Sequence, residues 1–151
     1  MEKKRLTRIL AKADRAAVAE LSESIRKSYR PVIVKEPGKT LAMIKVRESV
    51  KQSLFYLGEV IVCEAAVEID GARGAAVAMG DDIEKILDMA IIDAAINKGV
   101  FEDMDALLEL ERQQNDRVMR ENAMHMKTMV NFESLDQEAP NDLNAFKKTS
   151  L

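Results

Sequence analysis

Cysteine occurs once in the 151 residues, at Cys63, and histidine once, at His125. A lone cysteine excludes an intrachain disulfide, a Cys-cluster zinc site and a protein-held iron–sulfur cluster. A lone histidine excludes the two-His facial metal triad and a His-rich catalytic centre. Tryptophan is absent and only four Phe and two Tyr are present, so a core must rest on Leu, Ile, Val, Ala and Met. No apolar run reaches the roughly 18 residues of a membrane span. The basic stretch from Met1 to Arg8 leads into no apolar segment, so it does not read as a secretory signal. These absences lead to the expectation of a reduced, soluble, cytoplasmic protein.

What is present suits a globular chain. Apolar residues make up 47% and charged residues 32%, a balance typical of folded rather than disordered chains. The length favours a single domain that buries roughly 68–70% of its extended surface. Charge is unevenly spread. Met1 to Tyr56 carries 14 Lys/Arg against 6 Asp/Glu, whereas Leu57 to Leu151 carries 9 against 20. Such asymmetry can steer partners or anionic ligands, or it can reflect two solvated helix faces of opposite sign. Nucleic-acid binding is not indicated, because the basic residues lack interleaved aromatics and match no recognised module.

Leu6, Ile9, Leu10 and Ala13 recur at helical spacing. Asp14 is placed to cap a second helix with apolar positions Ala17, Val18, Leu21 and Ile25, and Arg30-Pro31 ends it. Pro31 to Lys35 reads as a short strand, Pro37-Gly38 as a turn and Thr40 to Val46 as a strand, while Ser49 to Phe55 fits neither pattern. From Gly58 the alternation is clear. Ile61, Cys63, Ala65, Val67 and Ile69 form an apolar, core-directed face, opposite Glu64 and Glu68. Asp70 to Gly74 reads as a hairpin connection, with glycine supplying positive φ, and Ala75 to Met79 as a returning strand whose small residues admit close packing. Asp82 caps a helix with Ile83, Ile86, Leu87, Ala90, Ile91, Ala94 and Ala95 on one stripe, stopped at Gly99. Asp103 to Val130 reads as one long helix whose seam is interrupted by Glu111, Asn115 and Asn122. Four of the nine methionines lie between Met119 and Met129, so this stretch is either core packing or an adaptable arm for a partner. The fold class expected is α+β: a helical pair, a small antiparallel sheet with a central hairpin, one packing helix and a long C-terminal helix. One domain spans 1–132, and 133–151 is expected to be a polar, disordered tail.

The chemistry-bearing residues do not assemble into a site. Glu59, Glu64 and Glu68 fit paired acid/base carboxylates, but also the wet face of a half-buried strand. Asp81 and Asp82 fit a metal, though helix capping accounts for Asp82. His125 has no nucleophile beside it in sequence, and Cys63 falls on the core face as a structural thiol.

The run Gly58-Glu59-Val60-Ile61-Val62-Cys63-Glu64-Ala65-Ala66-Val67, the hairpin after it, Gly80-Asp81-Asp82-Ile83-Glu84-Lys85 and Ile92-Asp93-Ala94-Ala95 resemble the PhnG family, the small G subunit of the carbon–phosphorus lyase core complex. Arg120-Glu121-Asn122-Ala123 and Thr128-Met129-Val130-Asn131-Phe132 resemble the end of that family's C-terminal helix. The resemblance covers about residues 5–135, and the sequence departs from it after Glu133. It implies a subunit that joins the H, I and J subunits, most directly the I subunit. The complex makes α-D-ribose 1-methylphosphonate 5-triphosphate from ATP and an alkylphosphonate, releasing adenine. Nucleosidase chemistry then belongs to the I subunit and radical cleavage of the C–P bond to the J subunit. No catalytic, cofactor-binding or metal-binding residue carries over to this chain, and ATP and the phosphonate are substrates of the complex. Met119, Asn122, Met126, Met129 and Phe132 are the expected partner contacts. The competing readings are a freestanding homodimeric ligand-binding or regulatory module and an independent enzyme built on Glu59, Glu64 and Asp81.

Overall fold

The computed structural model describes residues 1–130. The elements are α1 (Lys3–Lys12), α2 (Arg15–Ser28), β1 (Val32–Arg47), β2 (Leu54–Ile69), β3 (Ala72–Met79), α3 (Ile83–Lys98) and α4 (Met104–Lys127). The strands form one antiparallel sheet in the order β1-β2-β3. The expected α+β class and the order of its parts are what the structure contains. Residues Met1–Val118 form one compact unit, and a second begins at Met119.

α3 is the centre of the first unit. A surface helix buries one stripe, whereas a helix that is apolar all round is itself enclosed. Of the expected stripe, Ile86, Ala90, Ile91, Ala94 and Ala95 are buried, Leu87 is half-buried and Ile83 at the helix start is exposed, while Met89 and Ile92 on the remaining faces are buried as well. The sheet supplies Cys63, Ala65, Val67, Ile69 and Ala76 to this core. The helical pair supplies Leu6, Ile9, Leu10, Val18, Leu21 and Ile25, and α4 supplies Leu107. Asp82 caps α3 by accepting from the Lys85 amide at 2.9 Å, and Gly99 ends it in the left-handed conformation at φ 80°.

Two buried carboxylates on α3 tie it to its neighbours. Asp88 accepts from the Ser22 hydroxyl at 2.6 Å and the Arg26 guanidinium at 2.8 Å, which fixes α2. Asp93 accepts from the Ala75 amide at 2.9 Å and pairs with the Lys3 ammonium at 3.1 Å, which fixes β3 and the start of α1. Burying a charge is tolerated only when it is paired and hydrogen-bonded, as both are here. The Lys85 ammonium adds a third tie by donating to the Ala11 and Ala13 carbonyls at the end of α1.

Four local expectations need correction. Pro37-Gly38 is not a turn: β1 runs through it without a break, and the register with β2 slips between Lys35 and Gly38. An edge strand accepts proline at such an irregularity because no interior ladder bond is lost. β2 begins at Leu54 rather than Gly58, which absorbs part of the ambiguous stretch. Asp14 occupies the N-cap position of α2 but makes no side-chain cap bond. Glycine does supply positive φ at the β2–β3 turn, at Gly71 beside Asp70, but the turn is shorter than expected and β3 begins at Ala72 rather than Ala75. Gly74 is needed for another reason: a Cβ there would overlap the Ala94 amide and the Ala90 carbonyl of α3. The expected Asp103–Val130 helix is present as Met104–Lys127.

Gly74→Ala is therefore expected to destabilise the chain by about 3 kcal/mol, since neither contacting backbone can yield without moving α3. Gly58→Ala, where a Cβ meets nothing within 4 Å, should change stability by less than about 1 kcal/mol. Urea denaturation of both variants measures the difference.

Candidate interaction surfaces

The carboxylates read from the sequence are spread out: Glu59 is exposed on β2 opposite Met43, and the others are engaged by neighbours. Glu64 pairs with Lys35 at 2.6 Å and Glu68 with Arg73 at 3.7 Å, both across neighbouring strands. Asp81 lies 3.7 Å from Lys39, while Asp82 is engaged as the α3 cap. Cys63 is buried and donates to the Gly80 carbonyl at 3.5 Å. His125 is exposed near the end of α4. Among the described residues no group of three or more His, Cys, Asp or Glu side chains is arranged to hold a metal ion.

The sheet, by contrast, extends past its own helix cover. β3 pairs with β2 only between Val62 and Ile69. Beyond Val62, β1 and β2 continue alone from Leu41 opposite Ile61 to Arg47 opposite Leu54. The ribbon is closed by a built turn. Glu48 donates its amide to the Ser53 carbonyl at 2.9 Å, and its carboxylate accepts from the amides of Val50 and Lys51 at 2.7 Å each. Alternation places Ile61 on the same side of β2 as Cys63, Ala65 and Val67, as the sequence pattern requires. Yet Ile61 is 55% exposed, because the helix layer stops short of it. Leu41, Met43 and Leu57 are 60%, 59% and 65% exposed, and Leu54, Phe55, Tyr56 and Val50 are also in solvent. Sequence reasoning missed this surface because it placed Ile61 in the core and left Ser49 to Phe55 unassigned. The signal was nevertheless present: an apolar alternation longer than the strand that pairs with it. Two strands alone are marginally stable in water, and a contiguous exposed apolar surface marks an interaction site.

The expected contacts on the long helix are distributed as follows. Met119, Asn122 and Met126 lie on α4 and are exposed, Met129 follows the helix and is exposed, and Phe132 lies outside the described residues.

A third feature is a groove of about 660 Å³ between α2 and the first turns of α4. Ala17, Leu21 and Leu110 line it, with Glu20, Glu23 and Glu109 among its charged residues. Hydrogen bonds from Arg112, and then from Gln113, hold the Glu109 carboxyl down at about 2. On the other side of the helical pair, the Arg5 guanidinium grips Glu111 through two hydrogen bonds of 2.8 and 2.5 Å, which lowers the Glu111 pKa and raises that of Arg5.

The described geometry defines a small α+β protein whose distinguishing features are open surfaces and unspent apolar area rather than an enclosed reaction site. The chain belongs to the PhnG family of phosphonate metabolism proteins, whose family model matches residues 1–137. Nothing among curated proteins matches it. No helix of the described residues is long and apolar enough to cross a membrane.

Two outcomes follow from this geometry. Leu41→Ser and Leu57→Ser should each leave the melting temperature of the isolated chain nearly unchanged, within about 0.5 kcal/mol of stability, because neither side chain is packed. Val67→Ala, at a fully buried position, should cost about 2 kcal/mol. Separately, carboxyl-detected NMR titration of Arg112→Ala should show Glu109 moving up from about 2 toward its ordinary value of 4.5. A depressed folded-state pKa contributes stability above that ordinary value and loses it as pH falls toward about 2, so any stability advantage of the wild type over the variant should be present above about pH 4.5 and disappear as pH falls toward 2.

Proposed function

We propose that this chain is an accessory subunit of the carbon–phosphorus lyase core complex, needed with the H, I and J subunits to transfer the ribose 5-triphosphate of ATP to an alkylphosphonate with release of adenine. It acts in phosphonate metabolism, as its family does. The observation that carries the proposal is the uncovered β1–β2 ribbon. A chain that works alone gains nothing from holding Leu41, Met43, Leu57 and Ile61 in water, whereas an obligate subunit removes such area from water on assembly. Obligate interfaces commonly exceed 2,000 Å² in total and are most apolar at the centre. The ribbon runs about 20 Å from Leu41 to Arg47 at 3.4 Å per residue, long enough to insert between neighbours as a continuous strip.

In this reading the I subunit covers the ribbon, and the α4 residues Met119, Asn122, Met126 and Met129, with Phe132 beyond them, form a second contact. Methionine suits that role because its unbranched, polarizable side chain adapts to a surface it must match. The chain supplies shape and apolar area, the reacting groups belong to its partners, and the complex works in the cytoplasm. Three of the carboxylates that resembled acid/base groups, Glu64, Glu68 and Asp81, are used internally, in ion pairs with Lys35, Arg73 and Lys39.

Co-expression with tagged I subunit and with the H and J subunits tests this. The wild-type chain should copurify, and adenine release from ATP plus methylphosphonate should require it. Leu41→Asp combined with Leu57→Asp should abolish recovery in the complex while the isolated variant keeps its circular dichroism spectrum. Met119→Asp combined with Met126→Asp should weaken recovery. Full recovery of the ribbon variant, or adenine release at the same rate without the chain, would remove the proposal.

A further inference from the structure

The second edge of the sheet carries a different surface. Backbone groups of an edge strand alternate, one residue facing its partner strand and the next facing outward. Three hydrogen bonds set the phase along β3. The Gly80 amide, just past the strand, donates to Ile61 of β2 at 3.2 Å, so even-numbered residues face inward. The Ala75 amide donates to Asp93 at 2.9 Å, and the Arg73 carbonyl accepts from Asn97 at 2.6 Å, so odd-numbered residues face out. α3 thus seals the edge at Arg73 and Ala75 with its own side chains. It does not reach Val77 or Met79. Their side chains are exposed, and no bond to their outward backbone groups occurs among the described residues.

Beside this open length lies a groove of about 900 Å³, bounded by α1 and by Val77 to Met79. Lys3, Lys4, Arg8 and Lys12 face it, with no acidic residue in the lining. Lys3 is held at the sealed end by Asp93. Lys4 and Lys12 form no ion pair among the described residues, while Arg8 is near enough to Glu111 to help lower its pKa. Lys3 to Lys12 rises about 14 Å along α1 at 1.5 Å per residue, and the open length from Val77 to Met79 spans about 7 Å at 3.4 Å per residue. The cations therefore line a groove that also contains the open backbone of Val77 and Met79.

We propose that this groove takes an acidic, extended segment of a partner protein, which adds to β3 as a further strand and sets its carboxylates against α1. Main-chain bonds to the outward groups of Val77 and Met79 give such a strand its affinity, and the cations give it its sign preference. The site lies on the sheet edge opposite the one formed by β1, so it is independent of the ribbon and of the complex proposed above.

The test uses the full chain and a synthetic octapeptide of alternating Glu and Val, followed by amide NMR and fluorescence anisotropy. The expected result is a shift of the Met79 and Val77 amides, binding that weakens with added salt, and no binding of the corresponding Lys-Val peptide. Val77→Pro removes one outward amide without touching the β2–β3 ladder, so it should weaken binding by about tenfold or more while the melting temperature holds. Lys4→Glu with Lys12→Glu should weaken it similarly. The proposal is overturned if the peptide leaves the Val77 and Met79 amides unmoved, if both peptides bind equally, or if Val77→Pro binds as the wild type does. Inorganic triphosphate shifting the lysines more strongly than the peptide does, with the Val77 amide still, would also overturn it.

Discussion

The packing of α3 against β3 is the contact on which the rest of the molecule depends. Backbone meets backbone there, at Gly74 against Ala90 and Ala94. So close an approach lets a sheet of only three strands share one core with a helix whose middle, Asp88 to Ala95, is buried on every side. It also brings Asp93 within reach of the Ala75 amide, and Lys3 within reach of Asp93. The small residues of β3 and the alanines of α3 are two halves of one steric arrangement. Without it the buried carboxylates would lose the partners that make their burial tolerable.

The same arrangement limits what the helices can cover. α3 is 16 residues long, about 24 Å at 1.5 Å per residue. β1 and β2 are also 16 residues each, but extended, and so more than 50 Å long. A helix layer of this size cannot roof such a ribbon. The overhang from Leu41 to Ile61 is therefore a geometric consequence of element length, and its apolar composition is what gives it a use. Had the overhang been polar, the ribbon would be an ordinary solvated hairpin. Its leucines, methionine and isoleucine make it a surface that water penalises until something else covers it.

Charge follows a similar division. The basic excess of the first 56 residues is not diffuse: part of it is consumed in internal pairs, as with Arg5, Arg26 and Lys35. Another part, Lys4 and Lys12, stands unpaired along one side of α1. The carboxylates on the strands are largely spent on cross-strand pairs, which blunts the sheet's solvent face without building a reaction centre. A PhnG-family chain organised in this way presents three chemically distinct faces, namely an apolar ribbon, a methionine-bearing helix and a basic edge groove.

Periodicity alone determined the two N-terminal helices, the core face from Cys63 to Ile69, the Asp82 cap, the Gly99 stop and the long helix. In each, the information is local: a repeat of 3.6 or 2, or a capping side chain next to the amide it serves. The resemblance to the PhnG family was equally legible in Gly58 to Val67 and Gly80 to Lys85. The continuity of β1 through Pro37, the purpose of Gly74, the burial of Asp88 and Asp93, and the exposure of Ile61 were decided only by the tertiary structure. Alternation tells which side of a strand a residue occupies, but not whether anything lies on that side. The answer depends on where a helix 20 or more residues away in sequence comes to an end, and no local pattern encodes that distance.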